Sequence, residues 1–295
     1  MANKMKKEEL LQSYLFILPA AIILLVFFLF PIGYAFVLSF LKLNSKFAVK
    51  AVVGAQNYTD VLSDRKLIAA FFNTLKYVAI VVPIQTFLAM LIASVLNSNI
   101  KGKNTFRIIY FLPTLTSSSA LTLIFMFMFN QEGLINMFLK VFGVQGKNWL
   151  DDVDFVLKVI MAMNIWSTVP FFMTIYLAGL QDVPATQYEA ASIDGANAWQ
   201  RFLYITVPNL RPITAFVVIM GLIGCFQVFD QAYIVSKGTG GPGTATLTLV
   251  LLIYQYAFAG KPNMGRATAL AFILALFIMG VTYLAKRFSK EESLY

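Results

Sequence analysis

Long apolar runs separated by short polar stretches dominate the chain. Six of these runs have the length of about 17–25 residues that a helix needs to cross a bilayer. The first contains 28 residues without a charge, far more than the apolar part of a signal peptide, so we expect it to be retained. The predicted spans are approximately 14–41, 73–96, 108–129, 157–180, 213–235 and 267–285.

A seventh apolar stretch, 245–259, has only 15 residues, which is below the length that usually crosses a bilayer. We interpret it as a membrane-embedded or interfacial helix that leads into the last span. If it crossed, the two termini would lie on opposite sides of the membrane. Lysine and arginine are divided equally between the two sets of loops, so the positive-inside rule does not orient the chain. The acid-free cluster of Lys101, Lys103 and Arg107 favours a cytoplasmic loop at that point.

Composition supports an all-α polytopic membrane protein. Hydrophobic residues make up 59% of the 295 residues, charged residues only 13%, and the mean hydropathy is +0.74. The net charge of +9 is carried by loops and ends, which suits an anionic lipid surface rather than nucleic acid. Cys225 is the single cysteine and histidine is absent, so an intrachain disulfide and the commonest metal ligand are excluded.

The chain contains no recognisable catalytic set. No segment fits the phosphate-binding pattern G-x-x-x-x-G-K-[ST], and the glycine-rich stretch GTGGPGT at 238–244 lacks the required lysine. We therefore interpret 238–244 as a flexible linker. No nucleophile–base pair and no metal-ligand cluster is evident, so this is not predicted to be an enzyme. Energy for any transport must come from a partner or from an ion gradient.

Two polar sets lie inside predicted spans, where polarity costs free energy and often marks function. In the fourth span, Asn164, Thr168 and Phe171 share one helical face, with Ser167 beside them. In the fifth span, Ile223, Gln227 and Asp230 do the same. Amides, a carboxylate and aromatic rings are the groups that bind sugars. The alternative is that these side chains hold helices together, and the residues alone leave both interpretations open.

The stretch 189–212 is a polar island between the fourth and fifth apolar runs. Its pattern predicts two short helices around a turn at Asp194-Gly195, because glycine adopts the positive φ that ends a helix without strain. Small residues lie on one face, which allows close approach of another surface. Pro208 and Pro212 are expected to end the second helix.

This island resembles the EAA loop of binding-protein-dependent ABC importer permeases. The resemblance is carried by Phe202, Ile205, Leu210 and the residues that in that family contact the ATPase, here Glu189, Ala190, Ala191, Asp194, Gly195, Ala196 and Pro208. Val207 departs mildly from the usual leucine. The resemblance implies that the island is a coupling helix hairpin facing the cytoplasm.

Further motifs resemble carbohydrate permeases of the maltose type. After the first span, 54–58 is similar to G-x-x-N-Y. The segment 164–170 resembles N-x-W…P, and 226–242 resembles F-x-x-F-D…G-G-P. Alignment on these motifs implies a substrate pathway formed by Asn164, Ser167, Thr168, Phe171, Ile223, Phe226, Gln227 and Asp230. Several of these side chains differ from the family's, so the identity of the sugar does not carry over.

The resemblance also implies an assembly. One transmembrane domain, 1–295, would have its coupling loop at 181–212 and both termini in the cytoplasm of a prokaryote, whose inner membrane it spans. It would pair with a second homologous permease subunit, two ATPase subunits that bind ATP and Mg, and an extracytoplasmic solute-binding protein. The substrate would be a sugar or oligosaccharide, and the chain itself would hold no cofactor.

Two other functions compete with this one. A glycerol-3-phosphate permease would need lysine or arginine in the pathway, and the polar faces contain neither. An ion-coupled secondary transporter would carry inverted repeats and several embedded titratable groups. No repeat is evident, and Asp230 is the only acid within a predicted span.

Overall fold

The computed structural model describes residues 2–43, 48–98 and 102–291. Lys101 of the basic cluster lies outside the described residues. Five helical segments are long and apolar enough to cross a membrane, and a bent pair raises the number to six if it forms one span. The five are Gln12–Leu38, Arg65–Asn97, Val156–Leu180, Arg211–Ser236 and Met264–Arg287, and the bent pair is Thr105–Leu115 with Ser118–Met128.

The described part of the chain is mostly helical. The helices in chain order are α1 (Ala2–Leu24), α2 (Phe30–Leu38), α3 (Gln56–Leu62), α4 (Arg65–Asn97), α5 (Lys103–Phe111), α6 (Ser118–Met128), α7 (Leu134–Val141), α8 (Val156–Leu180), α9 (Ala185–Ile193), α10 (Ala198–Arg201), α11 (Val207–Asn209), α12 (Arg211–Phe226), α13 (Asp230–Ser236), α14 (Leu249–Phe258) and α15 (Met264–Glu291). Strands β1 (Leu41–Leu43) and β2 (Val49–Val52) form an antiparallel pair. Leu25–Leu29 and Phe202–Thr206 are π-helical turns, and Leu112–Leu115 is a 3₁₀ turn.

The chain forms two compact units. The first contains the described residues up to Ser63 together with Tyr256–Phe272, and the second contains Asp64–Gln255 together with the described residues from Ile273 onward. Within the first unit, the Arg266 guanidinium pairs with the Asp60 carboxylate at 2.6 Å. The Phe36 and Phe272 rings meet edge to face, with their centroids 5.3 Å apart.

The G-x-x-N-Y motif has a structural role in the first unit. Gly54 has a φ of +55°, in the left-handed region that glycine adopts at little cost. Asn57 is buried, and its Nδ2 donates to the backbone carbonyls of Ser39 (2.9 Å) and Leu41 (3.0 Å). These carbonyls follow the end of α2, where a helix leaves acceptors without partners. The motif therefore ends the first span.

The core of the second unit lies where α4, α8 and α12 pack together. Buried residues of all three helices form one hydrophobic cluster, which includes Ala89, Ala93, Met173, Tyr176 and Val217. At the start of α12, the Tyr176 hydroxyl donates to Thr214 Oγ1 at 3.1 Å. Small residues in α4 allow the large side chains of α8 to approach its backbone closely.

One buried amide joins these three helices. Gln85 of α4 is only 1% exposed, and its Oε1 accepts a hydrogen bond from Thr168 Oγ1 of α8 at 2.8 Å. Its Nε2 points at Gly221 of α12, where a Cβ atom would collide with it. Glycine is therefore required at 221 because the Gln85 side chain of α4 lies against the α12 backbone there, and not because of its backbone dihedral angles.

The third and fifth spans are broken, whereas the sequence analysis predicted continuous helices over 108–129 and 213–235. In the third, α5 and α6 meet at an angle of 101°. Pro113 lacks an amide donor, and Ser117 caps α6 by accepting a bond from the Ala120 amide at 3.2 Å. In the fifth, α12 ends at Phe226 and α13 begins at Asp230.

Other boundaries also differ from the prediction. The first apolar helix ends at Leu38 rather than at 41, because the chain turns into β1. The stretch 238–244 is a hydrogen-bonded loop rather than a flexible linker. Thr246 donates through its amide to the Gly240 carbonyl (3.1 Å) and through Oγ1 to the Gly241 carbonyl (2.9 Å). The apolar stretch 245–259 contains α14, whose 10 residues extend only about 15 Å.

The contact between Gly221 and Gln85 generates a stability prediction. Gly221→Ala should lower the free energy of unfolding by about 1–3 kcal/mol, because the added methyl displaces a buried amide that is bonded to Thr168. Gly224→Ala is the matched control, since no atom lies within 4 Å of the Cβ that it would add. Thermal unfolding in detergent measures both. Equal midpoints for the two variants would contradict the packing described here.

Candidate functional site

A cavity of about 320 Å³ lies between the broken third span and α8. The bend of the third span opens this space, because α5 and α6 diverge at Thr116 and Ser117. The wall is formed by Pro113, Thr114, Thr116, Ser118, Leu121, Met163, Asn164, Ser167, Thr168, Phe171, Phe172 and Gln231. The volume lies at the lower end of the range of about 300–1,000 Å³ that small-molecule sites occupy.

The α8 wall contains all four fourth-span residues that the sequence analysis proposed. Asn164, Ser167, Thr168 and Phe171 lie within two turns of the helix and line the cavity together. The Ser167 hydroxyl donates to the Asn164 carbonyl at 3.0 Å. The Thr168 hydroxyl lies 2.8 Å from both the Asn164 carbonyl and Gln85 Oε1. Phe171 is 48% exposed, so a ring face is available to a ligand.

The Asn164 side chain has an unused acceptor. Its Oδ1 is buried and has no hydrogen-bond partner among the described residues, and the same holds for Gln85 Nε2. A buried polar atom without a partner costs about 1–3 kcal/mol. The Asn164 side chain interacts with the buried Tyr77 hydroxyl of α4, so a ligand in the cavity reaches Oδ1 only if the amide turns toward it.

The sequence analysis missed the third-span wall and two glutamines. Thr114, Thr116 and Ser118 come from LPTLTSSSA, a polar run after a proline within an apolar stretch, and that run was the available signal. Gln231 Nε2 donates to Ser118 Oγ at 3.2 Å and connects the two broken spans across the cavity edge. Gln85 carried a weaker signal, an isolated amide in the apolar middle of a long helix.

The proposed fifth-span residues lie apart from this cavity. None of Ile223, Phe226, Gln227 and Asp230 is among the residues that line it. Phe226 is buried, and its ring packs edge to face on Phe277 with centroids 5.4 Å apart. Ile223 is half-buried, while Gln227 and Asp230 lie at the break between α12 and α13, where both are exposed. Gln231, the residue after Asp230, is the residue of the fifth span that lines the cavity.

The polar island folds into the predicted helical hairpin. The helix α9 ends at Ile193, and Gly195 turns the chain with a φ of +78°. Asn197 and Gln200 form a capping box that starts α10, with bonds of 2.8 and 2.9 Å. Three side-chain bonds of 2.9 Å join the two arms, and they connect Tyr188 with Thr206, Arg201 with Ser192, and Asn209 with Gln187.

The second arm is longer than predicted, because Pro208 does not end it. The π-helical turn at Phe202–Thr206 precedes α11, and Pro208 lies in the first turn of α11, where its missing amide donor is tolerated. The helical arm stops only at Leu210, and Arg211 begins α12.

The turn of the hairpin presents an exposed surface. Of the residues that the resemblance assigned to ATPase contact, most are exposed and the rest are half-buried. Ile193 is 87% exposed and adds a large apolar side chain to this surface. Neither Glu189 nor Asp194 forms a salt bridge or a side-chain hydrogen bond within the part of the chain that the structure describes. The small side chains, one exposed isoleucine and two carboxylates therefore form a surface suited to a partner.

The described residues contain no group of three or more metal-ligating side chains. The residues that line the cavity include no acid and no base. The cavity is therefore equipped to bind a neutral polar molecule through hydroxyl, amide and aromatic groups.

A multi-pass helical bundle with an uncharged cavity between its spans and an exposed hairpin has the features expected of a membrane transport protein. Residues 85–292 match the family described as "Binding-protein-dependent transport system inner membrane component". The chain belongs to this family. It is accordingly a multi-pass membrane component of a transport system and not an enzyme.

Relatives of similar length match nearly the whole chain. The lactose transport system permease protein LacF of Rhizobium radiobacter is 32% identical over 98% of both chains. The trehalose/maltose transport system permease protein MalF of Thermococcus litoralis is 33% identical over 99% of both chains. The arabinooligosaccharides transport system permease protein AraP of Bacillus subtilis is 33% identical, over 94% of this chain and 88% of its own.

Two solved structures have a similar fold. One is a bacterial alginate ABC transporter in complex with an alginate pentasaccharide-bound periplasmic protein, with a TM-score of 0.82 at 21% identity over 99% of this chain and 97% of that one. The other is a bacterial ABC transporter involved in the import of alginate, with a TM-score of 0.78 at 22% identity over 98% of both chains.

Proposed function

We propose that this chain is the permease subunit of an ATP-driven importer that moves a neutral sugar or oligosaccharide through the cavity beside α8. The observation that carries the proposal is the cavity wall. Asn164 contributes an amide that can turn toward the cavity, Ser167 and Thr168 add hydroxyls, and Phe171 offers a ring face. A sugar ring matches this set, because its hydroxyls bond amides and hydroxyls while its apolar face packs on aromatic rings.

The absence of charge in the wall distinguishes between substrates. None of the 12 residues that line the cavity is acidic or basic. A glycerol phosphate or an acidic sugar would need a cation nearby, because burying an unpaired anion is costly. Lactose, trehalose, maltose and arabino-oligosaccharides, which the relatives' names specify, are neutral. They are the substrates to test first.

We also propose that the fifth-span residues belong to the pathway, at its border with a second permease subunit. Gln227 and Asp230 are both exposed at the break between α12 and α13, where a partner chain can complete a polar wall. A carboxylate inside a span would otherwise be costly. Ile223 is half-buried beside them, and Phe226 supports the break through its contact with Phe277.

The packing of α4 and α8 supports a six-span topology. Gln85 bonds Thr168, and further along both helices Asn97 and Leu180 line a common space, so the two helices run in the same direction. The chain must then cross the membrane an odd number of times between them. The bent pair is the single candidate span there within the described residues, and it is the expected third crossing.

Six crossings would put both termini on the side of the hairpin, which we propose to be the cytoplasm of a prokaryotic cell. The helices α14 and α15 each run through both compact units, which favours one transmembrane domain over 1–295. The hairpin within 181–212 would dock on one of two ATPase subunits, which bind ATP and Mg. An extracytoplasmic solute-binding protein would deliver the sugar to the opposite face.

The proposed substrate is tested by uptake. The complete transporter, produced with the partner proteins encoded beside this chain, should take up at least one of the four radiolabelled sugars. Asn164→Ala should weaken the apparent affinity about five-fold to a hundred-fold, because a buried hydrogen bond is lost. Ala162→Ser, at an exposed position of the same helix outside the cavity, is the control. Absence of sugar uptake by the unmodified transporter would refute the function, and equal uptake by both variants would refute the site.

The proposed coupling surface is tested by charge reversal. Glu189→Lys should reduce co-purification of the ATPase and abolish substrate-stimulated ATP hydrolysis, because the new cation lies at the docking face. Glu132→Lys makes the same change at an exposed acid beyond α6 and should leave both readouts unchanged. If Glu189→Lys behaves like Glu132→Lys, the hairpin face described above does not contact the ATPase.

The topology is tested by labelling single cysteines in a Cys225→Ser background with a membrane-impermeant maleimide. Asn97→Cys and Gln145→Cys are both exposed positions that flank the bent pair. One crossing by the bent pair requires that the two react from opposite sides of the membrane. Reaction of both from the same side would contradict the six-span topology.

A further inference from the structure

An apolar stripe lies on the loop between the third and fourth spans, outside the cavity and the hairpin. It is formed by α7 and the residue after it, and its members are spaced at i, i+3, i+4, i+7 and i+8, which puts them on one helical face. Each is at least 61% exposed, and Val141 reaches 80%. The stripe consists of Leu134, Met137, Phe138, Val141 and Phe142.

The opposite face of α7 is fixed to its surroundings by a buried amide. Asn136 Nδ2 donates to the backbone carbonyls of Asn130 (3.0 Å), Gln131 (3.0 Å) and Lys147 (2.7 Å). Its Oδ1 accepts from Trp149 Nε1 at 2.7 Å. All of the polar groups of the amide are therefore used, and the stripe is held in one orientation rather than free to turn inward.

The segment that follows α7 in the chain is also closely packed, and it contains an ion pair. A Cβ at Gly146 would collide with the Asn136 side chain, so the chain passes directly over that amide. Lys147 Nζ lies 2.7 Å from the Asp152 carboxylate, and this hydrogen bond lowers the pKa of Asp152 below its usual value. Polar groups thus face the loop, while apolar groups face outward.

The stripe follows the exposed apolar face of the third span closely along the chain. The helix α6 exposes Leu123, Ile124 and Phe127, and α7 begins only six residues after α6 ends. In the proposed topology the outer face of α6 meets lipid, and its end lies at the bilayer surface. The stripe of α7 therefore starts where hydrocarbon gives way to headgroups, which is the depth at which amphipathic helices lie.

We propose that α7 lies in the interface of the extracytoplasmic leaflet, with its stripe in the acyl region, and that it sets the depth of α6. The proposal rests on the six-span topology. The stripe offers no hydrogen-bonding group, so acyl chains match it fully. Lys140 is exposed on the last turn, within reach of lipid phosphates.

A lipid occupant fits better than a soluble partner. A solute-binding protein that docks and leaves would expose five large apolar side chains to water in every cycle, and soluble interfaces normally contain polar and aromatic hydrogen-bonding groups. Lipid covers the stripe throughout the cycle. The helix α6 contributes Ser118 and Leu121 to the cavity, so a fixed depth for α6 also fixes that wall.

Depth-dependent quenching tests the proposal in the complete transporter in lipid nanodiscs. Phe138→Cys in a Cys225→Ser background carries an environment-sensitive fluorophore, and Gln145→Cys, exposed on the same loop, is the matched control. Lipids with a spin label near the headgroup should remove most of the fluorescence at 138 and little at 145. Spin labels at the acyl-chain end should quench 138 less.

Two results would overturn the proposal. A blue-shifted fluorophore at 138 that no spin-labelled lipid quenches would mean that a protein subunit covers the stripe. A fluorophore at 138 as water-exposed as that at 145 would mean that nothing covers it. Sugar uptake and the sidedness of Asn97→Cys and Gln145→Cys are measured on the same preparation, so failure of the lipid contact is distinguished from failure of the transport function or of the topology.

Discussion

A polar group inside a membrane bundle has few partners available, and the Gln85 amide, whose Oε1 is bonded while its Nε2 has no partner among the described residues, is where this constraint acts most strongly. Its bond to Thr168 sets the register of α4 against α8, and its Nε2 requires glycine at 221 in α12. Three helices are therefore positioned by one side chain. Thr168 also lines the cavity, so the packing of the core and the geometry of the proposed sugar site depend on the same contact.

The helix breaks in the third and fifth spans create a cavity and a polar wall that straight helices could not form. The bend between α5 and α6 opens the cavity and exposes threonine and serine side chains that a continuous helix would point at lipid. The bond from Gln231 to Ser118 connects the two broken spans at the edge of the cavity. At the opposite end, the hydrogen-bonded hairpin leads directly into α12, which the bond of Tyr176 to Thr214 ties to α8. The hairpin and the adjoining halves of α8 and α12 thus form a continuous mechanical unit.

The sequence predicted features that depend on local chemistry. Apolar length located the spans, and the Asp194-Gly195 turn was predictable because few residues other than glycine adopt a φ of +78°. The breaks were missed because the hydropathy of both runs is that of an uninterrupted span, although the polar run after Pro113 was a signal for the first of them. Gln85 was missed for a related reason, since one amide in a helix of 33 residues acquires meaning only from its neighbours on other helices. The prediction that Pro208 ends the second helix was wrong, because the π-helical turn that precedes this proline could not be recognised from the sequence.

The central claim is that sugar occupies the cavity beside α8, and protection of a cysteine at 167 tests it most directly. In a Cys225→Ser background, Ser167→Cys lines the cavity, and Ala162→Cys on the exposed side of the same helix is its control. The rate of modification by a small thiol reagent is measured in the complete transporter during turnover, with a transported and a non-transported sugar. The account predicts that only the transported sugar slows modification at 167, with no effect at 162. Modification of 167 at the same rate with either sugar would contradict it.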